Sequence, residues 1–175
     1  MKKVVDWEGV DITDIIEQAA ASNNLDPIYL LALLKAESAL KRKAERYGDY
    51  NNTQEFLQRL MWYEHGDHSQ EAELQGLLND AWADVGFGFG QQIVLYHYAG
   101  DHSSTLENVL AVRKEVFDHP EANIADAATR LRNGIDRSLD GTALGGMVVY
   151  NAGSDRRDDP LWMAVWAGNV ASYEA

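Results

Sequence analysis

The sequence contains no cysteine, which excludes both a disulfide framework and a cysteine-ligated metal site. It also lacks an apolar run long enough to span a membrane, and its 46% hydrophobic and 25% charged residues are close to the usual globular mix. The amino terminus, MKKVVDWEGVD, has two lysines but no apolar run after them, so it does not resemble a signal peptide. We expect a soluble domain that requires no cofactor and does not insert into a membrane.

Positive charge is scarce in the chain. Lysine and arginine number 15 against 28 aspartates and glutamates, which gives a net charge of −13 and a sequence pI near 4.6. Such a protein repels polyanions, so nucleic acid is not an expected partner. The exception is a cationic cluster formed by Lys35, Lys41, Arg42, Lys43 and Arg46. A solvated helix end accounts for such a cluster, because cations there interact favourably with the helix dipole.

Apolar residues recur at helical spacing along most of the chain. The clearest stripes are Ile12, Ile15, Ile16 and Ala19, and later Ile124, Ala127, Ala128, Leu131 and Ile135. Asp26-Pro27 and Asp159-Pro160 each supply the cap and first residue of a helix. The pattern predicts one mainly α domain over residues 1–175, with an insertion at about 48–80.

Two stretches interrupt the helical pattern. DVGFGFGQQI, residues 84–93, spaces three glycines two positions apart, and Gln91 stands where a dinucleotide-binding fingerprint needs its third glycine. Alternating glycine and phenylalanine suits a tight turn or short hairpin, where the backbone approaches another group closely. The second stretch, GGMVVYNAGSDRR, is a short apolar run that ends at Tyr150-Asn151, and Gly153 is the expected helix stop. In both stretches, polar residues therefore follow directly after an apolar segment that we expect to be buried.

Glu37 is a carboxylate within one of the most apolar stretches of the chain, IYLLALLKAESAL. It follows Leu33 and Leu34 by four and three residues, so its side chain leaves the helix on a face that should line the interior. Desolvation there raises a carboxyl pKa, which is the property a general acid needs near neutral pH. The alternative interpretation is a solvated Glu37–Lys41 pair at i, i+4 spacing, and such pairs contribute only about 0.3–0.5 kcal/mol.

Four motifs, in this order along the chain, resemble the catalytic domain of lytic transglycosylases in the lysozyme-like superfamily. They are a helix ending in Glu37-Ser38, the glycine-rich turn with Gln91, the segment NIADAATRLR, and YNAG after a small-residue apolar helix. The resemblance covers roughly residues 12–173. The glycine-phenylalanine-glycine turn is also similar to that of goose-type lysozymes. The resemblance implies a lysozyme-like helical fold and an enzyme that acts on peptidoglycan glycan strands.

The resemblance also implies roles for the matching residues. Glu37 corresponds to the sole catalytic acid/base, Ser38 to the serine beside it, and Gln91 to the glutamine of the turn. Tyr150 corresponds to a catalytic-site tyrosine that hydrogen-bonds the acid, and Asn151 to its neighbour in the site. Glu37 would protonate the oxygen between N-acetylmuramic acid (MurNAc) and N-acetylglucosamine (GlcNAc), then take the proton of the muramyl 6-hydroxyl. The 1,6-anhydro product forms without water or a second carboxylate.

The sequence departs from the family pattern in three places. Glu37 and Gln91 are further apart than is usual, and an inserted helical pair at about 48–80 accounts for the difference. The usual GLMQ is GFGQ here, so Gln92 is the alternative to Gln91 as the matching glutamine. The proline-glycine that usually follows YNAG is replaced by SDRR. We assign the match to Gln91.

Asp84, just before the glycine turn, is the candidate for a second carboxylate. If it holds a water opposite Glu37, the same bond is hydrolysed with inversion by a goose-type-like muramidase. If it does not, it is a turn-capping aspartate. We include Asp84 with Ser38, Gln91 and Asn151 among the expected substrate-binding residues. A third alternative is a catalytically silent glycan-binding or structural module, but such a module has no need of a buried acid.

The other candidate groups carry weaker signals. Two histidine groups lack metal-ligand spacing on one face, so no metal site is predicted. They are His65, Asp67 and His68, and His97 with His102. Four tryptophans could stack on sugars, but none is assigned to substrate, since two of them lie at the helical spacing of core residues. They are Trp62, Trp82, and the core-spaced pair Trp162 and Trp166.

We expect the protein to act on the bacterial cell wall or in the periplasm, and to be monomeric as an isolated domain. Without a signal peptide in this chain, it would reach the wall either in a phage virion or as part of a larger exported protein. The last predicted helix runs to Ala175 without a stop signal, which favours a longer parent chain.

Overall fold

The structure is a computed structural model that describes residues 1–94, 104–152 and 159–174. Eight α-helices make up most of this part of the chain, which confirms the mainly α prediction. They are α1 (Thr13–Ser22), α2 (Pro27–Ser38), α3 (Tyr50–Glu64), α4 (Glu71–Ala81), α5 (Leu106–Asp118), α6 (Pro120–Arg137), α7 (Ala143–Ala152) and α8 (Pro160–Glu174). Two single-turn 3-10 helices, His68–Gln70 and Trp82–Asp84, flank α4.

Local signals set the two ends of α2. The Asp26 carboxylate accepts a hydrogen bond from a first-turn amide at 3.0 Å, and Pro27 occupies the first helical position, as predicted. The helix ends where Ala39 adopts φ +52° and Leu40 adopts φ +60°. Left-handed conformations are uncommon for residues other than glycine. Two in succession turn the chain sharply immediately after Glu37-Ser38.

A small antiparallel sheet lies beside the helices in the order β1 (Glu45–Tyr47), β2 (Val85–Phe87), β3 (Gln92–Ile93). The short hairpin predicted for DVGFGFGQQI is present, because β2 and β3 pair with each other. Gly88 turns the chain between them with φ +76°. A Cβ atom at Gly88 would lie 2.6 Å from Asn123 Oδ1, so both the backbone conformation and the close packing require glycine.

The segment predicted as a helical pair, at about 48–80, forms α3 and α4. Gly66, with φ +94°, turns the chain after α3. The pair packs on the sheet and on α5 through one buried apolar cluster. Its members include Tyr47, Phe56, Leu60, Leu74, Leu78, Phe87 and Val109. The Tyr47 and Phe56 rings stack with their centroids 3.7 Å apart, which joins α3 to β1.

Helix α2 is buried on two sides, which explains why its sequence is apolar almost all round. Leu30, Leu31 and Leu34 pack into a cluster with α1 and α6. Ala32 and Leu33 pack into another cluster with α6, α7 and α8, where Trp166 is 2% exposed. No helix in the described ranges has the length and apolar character needed to cross a membrane.

Glycines allow α6 and α7 to pack closely. A Cβ atom at Gly134 would lie 2.6 Å from the Gly146 carbonyl oxygen, and one at Gly146 would lie 2.4 Å from Ile135 Cγ1. The small residues in GGMVVYNAG therefore let the backbones of the two helices approach each other. This packing fixes the end of α7, which carries Tyr150 and Asn151, next to α2 and the glycine-rich turn.

Candidate active site

Glu37 lies in the last turn of α2, at the edge of the buried surface. Leu33 and Leu34, one turn earlier, are fully buried, whereas the Glu37 side chain is half-buried. Loss of hydration raises the pKa of Glu37 above its usual 4.5. The alternative helical pair with Lys41 does not form, because α2 ends at Ser38 and the chain turns at the next two residues. Glu37 is therefore the desolvated carboxyl that its sequence position predicts.

Asn151 is the hydrogen-bond donor to this acid. Its Nδ2 donates to Glu37 Oε1 at 2.9 Å, across the gap between the ends of α7 and α2. This bond favours the ionised carboxylate, as do the positive charges of Arg46 and Arg130, and all three lower the Glu37 pKa. Desolvation outweighs them, so the net direction is upward.

A groove of about 670 Å³ opens at Glu37. Its lining includes four cationic residues, which we call the basic rim: Lys35, Lys41, Lys43 and Arg46. Helix α3 contributes Tyr50, Thr53, Gln54 and Leu57 to the same groove. Gln91 of the glycine-rich turn also lines it, so the structure brings Glu37, Ser38 and Gln91 to one concave surface. The part that α3 plays was not predicted from the sequence.

Gln91 adopts an uncommon backbone conformation in this groove. Its φ is +45°, and the residue is 8% exposed. Its side-chain Nε2 donates to the Gly88 carbonyl at 3.2 Å, a hydrogen bond within the turn itself. A non-glycine residue in the left-handed region costs about 1–3 kcal/mol and is common at functional sites. The side chain of Gln92, the alternative match, lies outside what the structure describes.

Side chains from two helices hydrogen-bond the backbone of Gly90, the residue before Gln91. Asn123 on α6 accepts from the Gly90 amide at 3.2 Å, and its Nδ2 donates to the Phe87 carbonyl at 3.4 Å. Tyr150 on α7 donates from its hydroxyl to the Gly90 carbonyl at 2.8 Å. Asn123 is 4% exposed, so its two bonds form in a dry environment where they are strong. Together they fix the turn that presents Gln91.

The bond of Tyr150 to Gly90 corrects one prediction. We expected the Tyr150 hydroxyl to donate to Glu37, but a phenol has one proton, and here it is directed to the Gly90 carbonyl. Asn151, the next residue, makes the bond to the acid instead. The physical reason is rotational, because consecutive residues on a helix point about 100° apart. Tyr150 therefore positions the turn, and Asn151 contacts the acid.

Arg130 is a site residue to which the sequence assigned no role, although it lies in the segment NIADAATRLR. Its guanidinium lies over the Tyr150 ring, 4.2 Å from the ring centroid, and its charge acts on Glu37. Its Nη1 is buried without a hydrogen-bond partner. Asn123 and Arg130 lie four residues before and three residues after Ala127, so helical spacing puts both on the face of the apolar stripe of α6. A polar residue on a buried face was the signal that could have identified both.

Asp84 lies outside the groove, although we expected it among the substrate-binding residues. It ends the 3-10 helix before β2, its side chain is exposed, and it is not among the residues that line the groove. The 3-10 helix directs the Asp84 carbonyl, rather than its carboxylate, toward β1, where it accepts from Arg46 Nε at 3.3 Å. Among the described residues, the carboxylates that share the groove with Glu37 are Glu45 and Asp49.

Ser38 lines the groove but its hydroxyl proton is already engaged. The hydroxyl donates to the Leu34 carbonyl one helical turn earlier, at 2.8 Å, and the residue is 7% exposed. Its oxygen can only accept a further hydrogen bond from a substrate.

The weaker candidates that the structure describes lie in ordinary environments. His65 Nδ1 contacts the Met61 carbonyl at 2.6 Å, and Asp67 caps the 3-10 helix that follows. No cluster of three or more potential metal ligands occurs within residues 1–94, 104–152 and 159–174. His97 and His102 lie outside the described residues, as does Gly153. Trp166 is a core residue, as its spacing predicts, and Trp62 on α3 is 42% exposed.

No protein-family model matches the chain, and no curated protein or solved structure matches it either. The functional assignment therefore depends on the residues of the groove themselves.

Proposed function

We propose that the protein is a peptidoglycan lytic transglycosylase with a lysozyme-like helical fold. It would cleave the β-1,4 bond between MurNAc and GlcNAc and leave a 1,6-anhydro-MurNAc end. One observation carries the proposal: the half-buried Glu37, with its raised pKa, receives a hydrogen bond from Asn151 of YNAG beside a groove that Gln91 also lines. The site of action is then the bacterial cell wall, reached as part of a virion or of an exported protein.

The chemistry needs one carboxyl group in two protonation states. Protonated Glu37 transfers its proton to the glycosidic oxygen as the bond from that oxygen to muramyl C1 breaks. The muramyl 6-hydroxyl oxygen then bonds to C1, and its proton passes to the Glu37 carboxylate, which restores the acid. Desolvation raises the Glu37 pKa, so the proton is retained to a higher pH than on an ordinary carboxyl, which favours the first step.

The surroundings of Glu37 also suit its deprotonated state. Once Glu37 has given up its proton, the Asn151 amide and the charges of Arg46 and Arg130 stabilise the carboxylate. These groups are held by packed helices and the small sheet, so they need no rearrangement during the reaction. Helix α3 lines the groove opposite the turn after Glu37, and an open groove suits a polymer strand more than a small enclosed ligand.

Hydrolysis of the same bond is the second candidate, and one observation favours it. Asp49 and Glu45 line the groove with Glu37, so a carboxylate is available to activate a water. Both already have other roles: Asp49 caps α3 by accepting from the Asn52 amide, and Glu45 pairs with Arg113 at 2.7 Å. These bonds favour the transglycosylase reaction, which needs no second carboxylate.

The products of digestion test the proposal. Purified peptidoglycan is incubated with the protein, and the soluble muropeptides are identified by mass spectrometry. We expect 1,6-anhydro-MurNAc ends. Reducing MurNAc ends would assign the muramidase reaction instead. Binding to the wall without release of any fragment would identify a silent glycan-binding module and overturn the enzyme assignment.

A further inference from the structure

The groove carries a charge opposite to that of the rest of the protein. The chain has a net charge of −13 and only 15 lysines and arginines, yet four of these form the basic rim beside Glu37. Lys41 and Lys43 are exposed, and Lys41 also lies over the Trp7 ring at 4.6 Å. A concave surface lined by one sign of charge attracts ligands of the other sign.

The dipole of α2 does not account for this cluster. Of the basic rim, only Lys35 lies in the last turn of the helix. Lys41 and Lys43 follow the left-handed turn at Ala39-Leu40, and Arg46 lies in β1. The favourable effect of a helix end on cations is confined to the last turn. The chain therefore brings these side chains to the groove by folding back after Glu37.

The acidic residues of the groove do not neutralise the basic rim. The negative charge of Glu45 is compensated by Arg113, whose Nε lies 2.7 Å from Glu45 Oε2. Arg113 does not line the groove. Asp49 accepts from the amide of Asn52 as the cap of α3. Glu37 is directed to Asn151, and its partial burial, which raises its pKa, disfavours the charged form. Positive charge therefore predominates where the ligand would enter.

We propose that the basic rim binds the carboxylates of the stem peptide on the MurNAc residue at the cleavage site. This inference rests on the proposed function. In peptidoglycan the peptide is attached through the lactyl group of MurNAc, the same sugar whose C1 bond is broken. Its carboxylates are therefore tethered to the sugar that binds beside the acid, and lysine and arginine around the groove can form charge-assisted hydrogen bonds with them. The protein thus prefers peptide-bearing strands to bare glycan.

The test compares two substrates and two double variants. The substrates are glycan strands with stem peptides, and the same strands after an amidase has removed the peptides. The variants are Lys41→Gln/Lys43→Gln in the basic rim, and the control Arg132→Gln/Arg137→Gln on α6. Both variants remove two positive charges from the protein, but the control residues do not line the groove. Binding is measured with labelled strands in the Glu37→Gln background, and kcat/KM in the active protein.

We expect the rim variant to lose about fivefold or more in affinity and kcat/KM on peptide-bearing strands, and less than about twofold on bare strands. We also expect Lys41→Arg/Lys43→Arg to restore the preference, and added salt to weaken binding of peptide-bearing strands by the wild type. Equal losses on both substrates, or equal losses in the control variant, would overturn the inference.

The binding measurement separates this inference from the proposed function. If the wild type cleaves neither substrate but binds peptide-bearing strands through Lys41 and Lys43, the proposed function fails, and recognition of the stem-peptide carboxylates by the basic rim stands without the cleavage site. If it cleaves both substrates equally well, and the rim variant does the same, the function stands and the inference fails.

Discussion

Asn151 Nδ2 donates a hydrogen bond to Glu37 Oε1 at 2.9 Å, although 114 positions separate the two residues in the chain. The bond joins the last residues of α7 to the last turn of α2. A neutral amide therefore acts directly on the charge state of the candidate acid, against the effect of desolvation. The close packing of α6 and α7 at their glycines is what places the amide there.

Asn151→Ala tests this relationship. A hydrogen bond to a charged group contributes about 1.5–3 kcal/mol, so we expect peptidoglycan cleavage to fall by roughly ten- to a hundredfold. Loss of the donor raises the Glu37 pKa, so the basic limb of the pH–rate profile should move upward. The measurement is cleavage rate against pH, with Asn133→Ala, an exposed asparagine on α6, as control. An unchanged profile in Asn151→Ala would show that the bond does not affect the acid.

Tyr150→Phe should have a different effect from Asn151→Ala. It removes the hydrogen bond to the Gly90 carbonyl, a neutral bond that contributes about 0.5–1.5 kcal/mol to stability. We expect a lower melting temperature, a decrease in activity of less than about tenfold, and a pH–rate profile in its wild-type position. Thermal unfolding and the pH–rate profile measure these effects. A displaced basic limb would mean that Tyr150, too, acts on Glu37.

Arg130→Met tests the effect of a half-buried cation on the acid. Its guanidinium favours ionised Glu37, so its removal should raise the Glu37 pKa and move the basic limb of the profile upward. The cation–π contact with Tyr150 is also lost, at a cost of about 0.5–2 kcal/mol. Arg130→Lys, which keeps the charge, is the matched variant. It should leave the basic limb of the pH–rate profile near its wild-type position. Equal profiles for both variants would exclude an electrostatic role for Arg130.

Glu37→Gln should stabilise the fold at neutral pH. The folded state raises the Glu37 pKa above its usual 4.5, so wild-type stability falls as the pH rises through the folded-state value. Glutamine keeps an oxygen to accept from Asn151 and removes the desolvated charge. Melting temperatures should therefore be higher for the variant at pH 7 and converge with the wild type below pH 4.5. A lower melting temperature for Glu37→Gln than for the wild type at pH 7 would contradict a desolvated carboxyl at this position.

Periodicity and turn chemistry predicted much of the fold. The α3–α4 pair, the hairpin around Gly88 and the Asp26-Pro27 start of α2 are all present. These features depend on local interactions, which the sequence expresses directly through helical spacing, glycine and capping residues. The position of Glu37 was predictable for the same reason, since Leu33 and Leu34 define the buried face of its own helix.

The partners of the site residues could not be predicted in the same way. Whether Tyr150 or Asn151 contacts the acid depends on how α7 is rotated about its axis, and tertiary packing at Gly134 and Gly146 sets that rotation. The distance of Asp84 from the groove likewise depends on a 3-10 helix that sequence spacing does not reveal. Side-chain partners across the fold follow from the geometry of packed helices rather than from spacing along one of them.

The most direct test of the account is the peptidoglycan-cleaving activity of Glu37→Gln, compared with Asp84→Asn as a control outside the groove. A general acid contributes about 100- to 10,000-fold to rate, so the account predicts a loss in that range for Glu37→Gln with an unchanged circular dichroism spectrum. Asp84→Asn should lose less than about tenfold. Retention of more than about a tenth of wild-type activity by a folded Glu37→Gln would contradict the assignment of Glu37 as the acid.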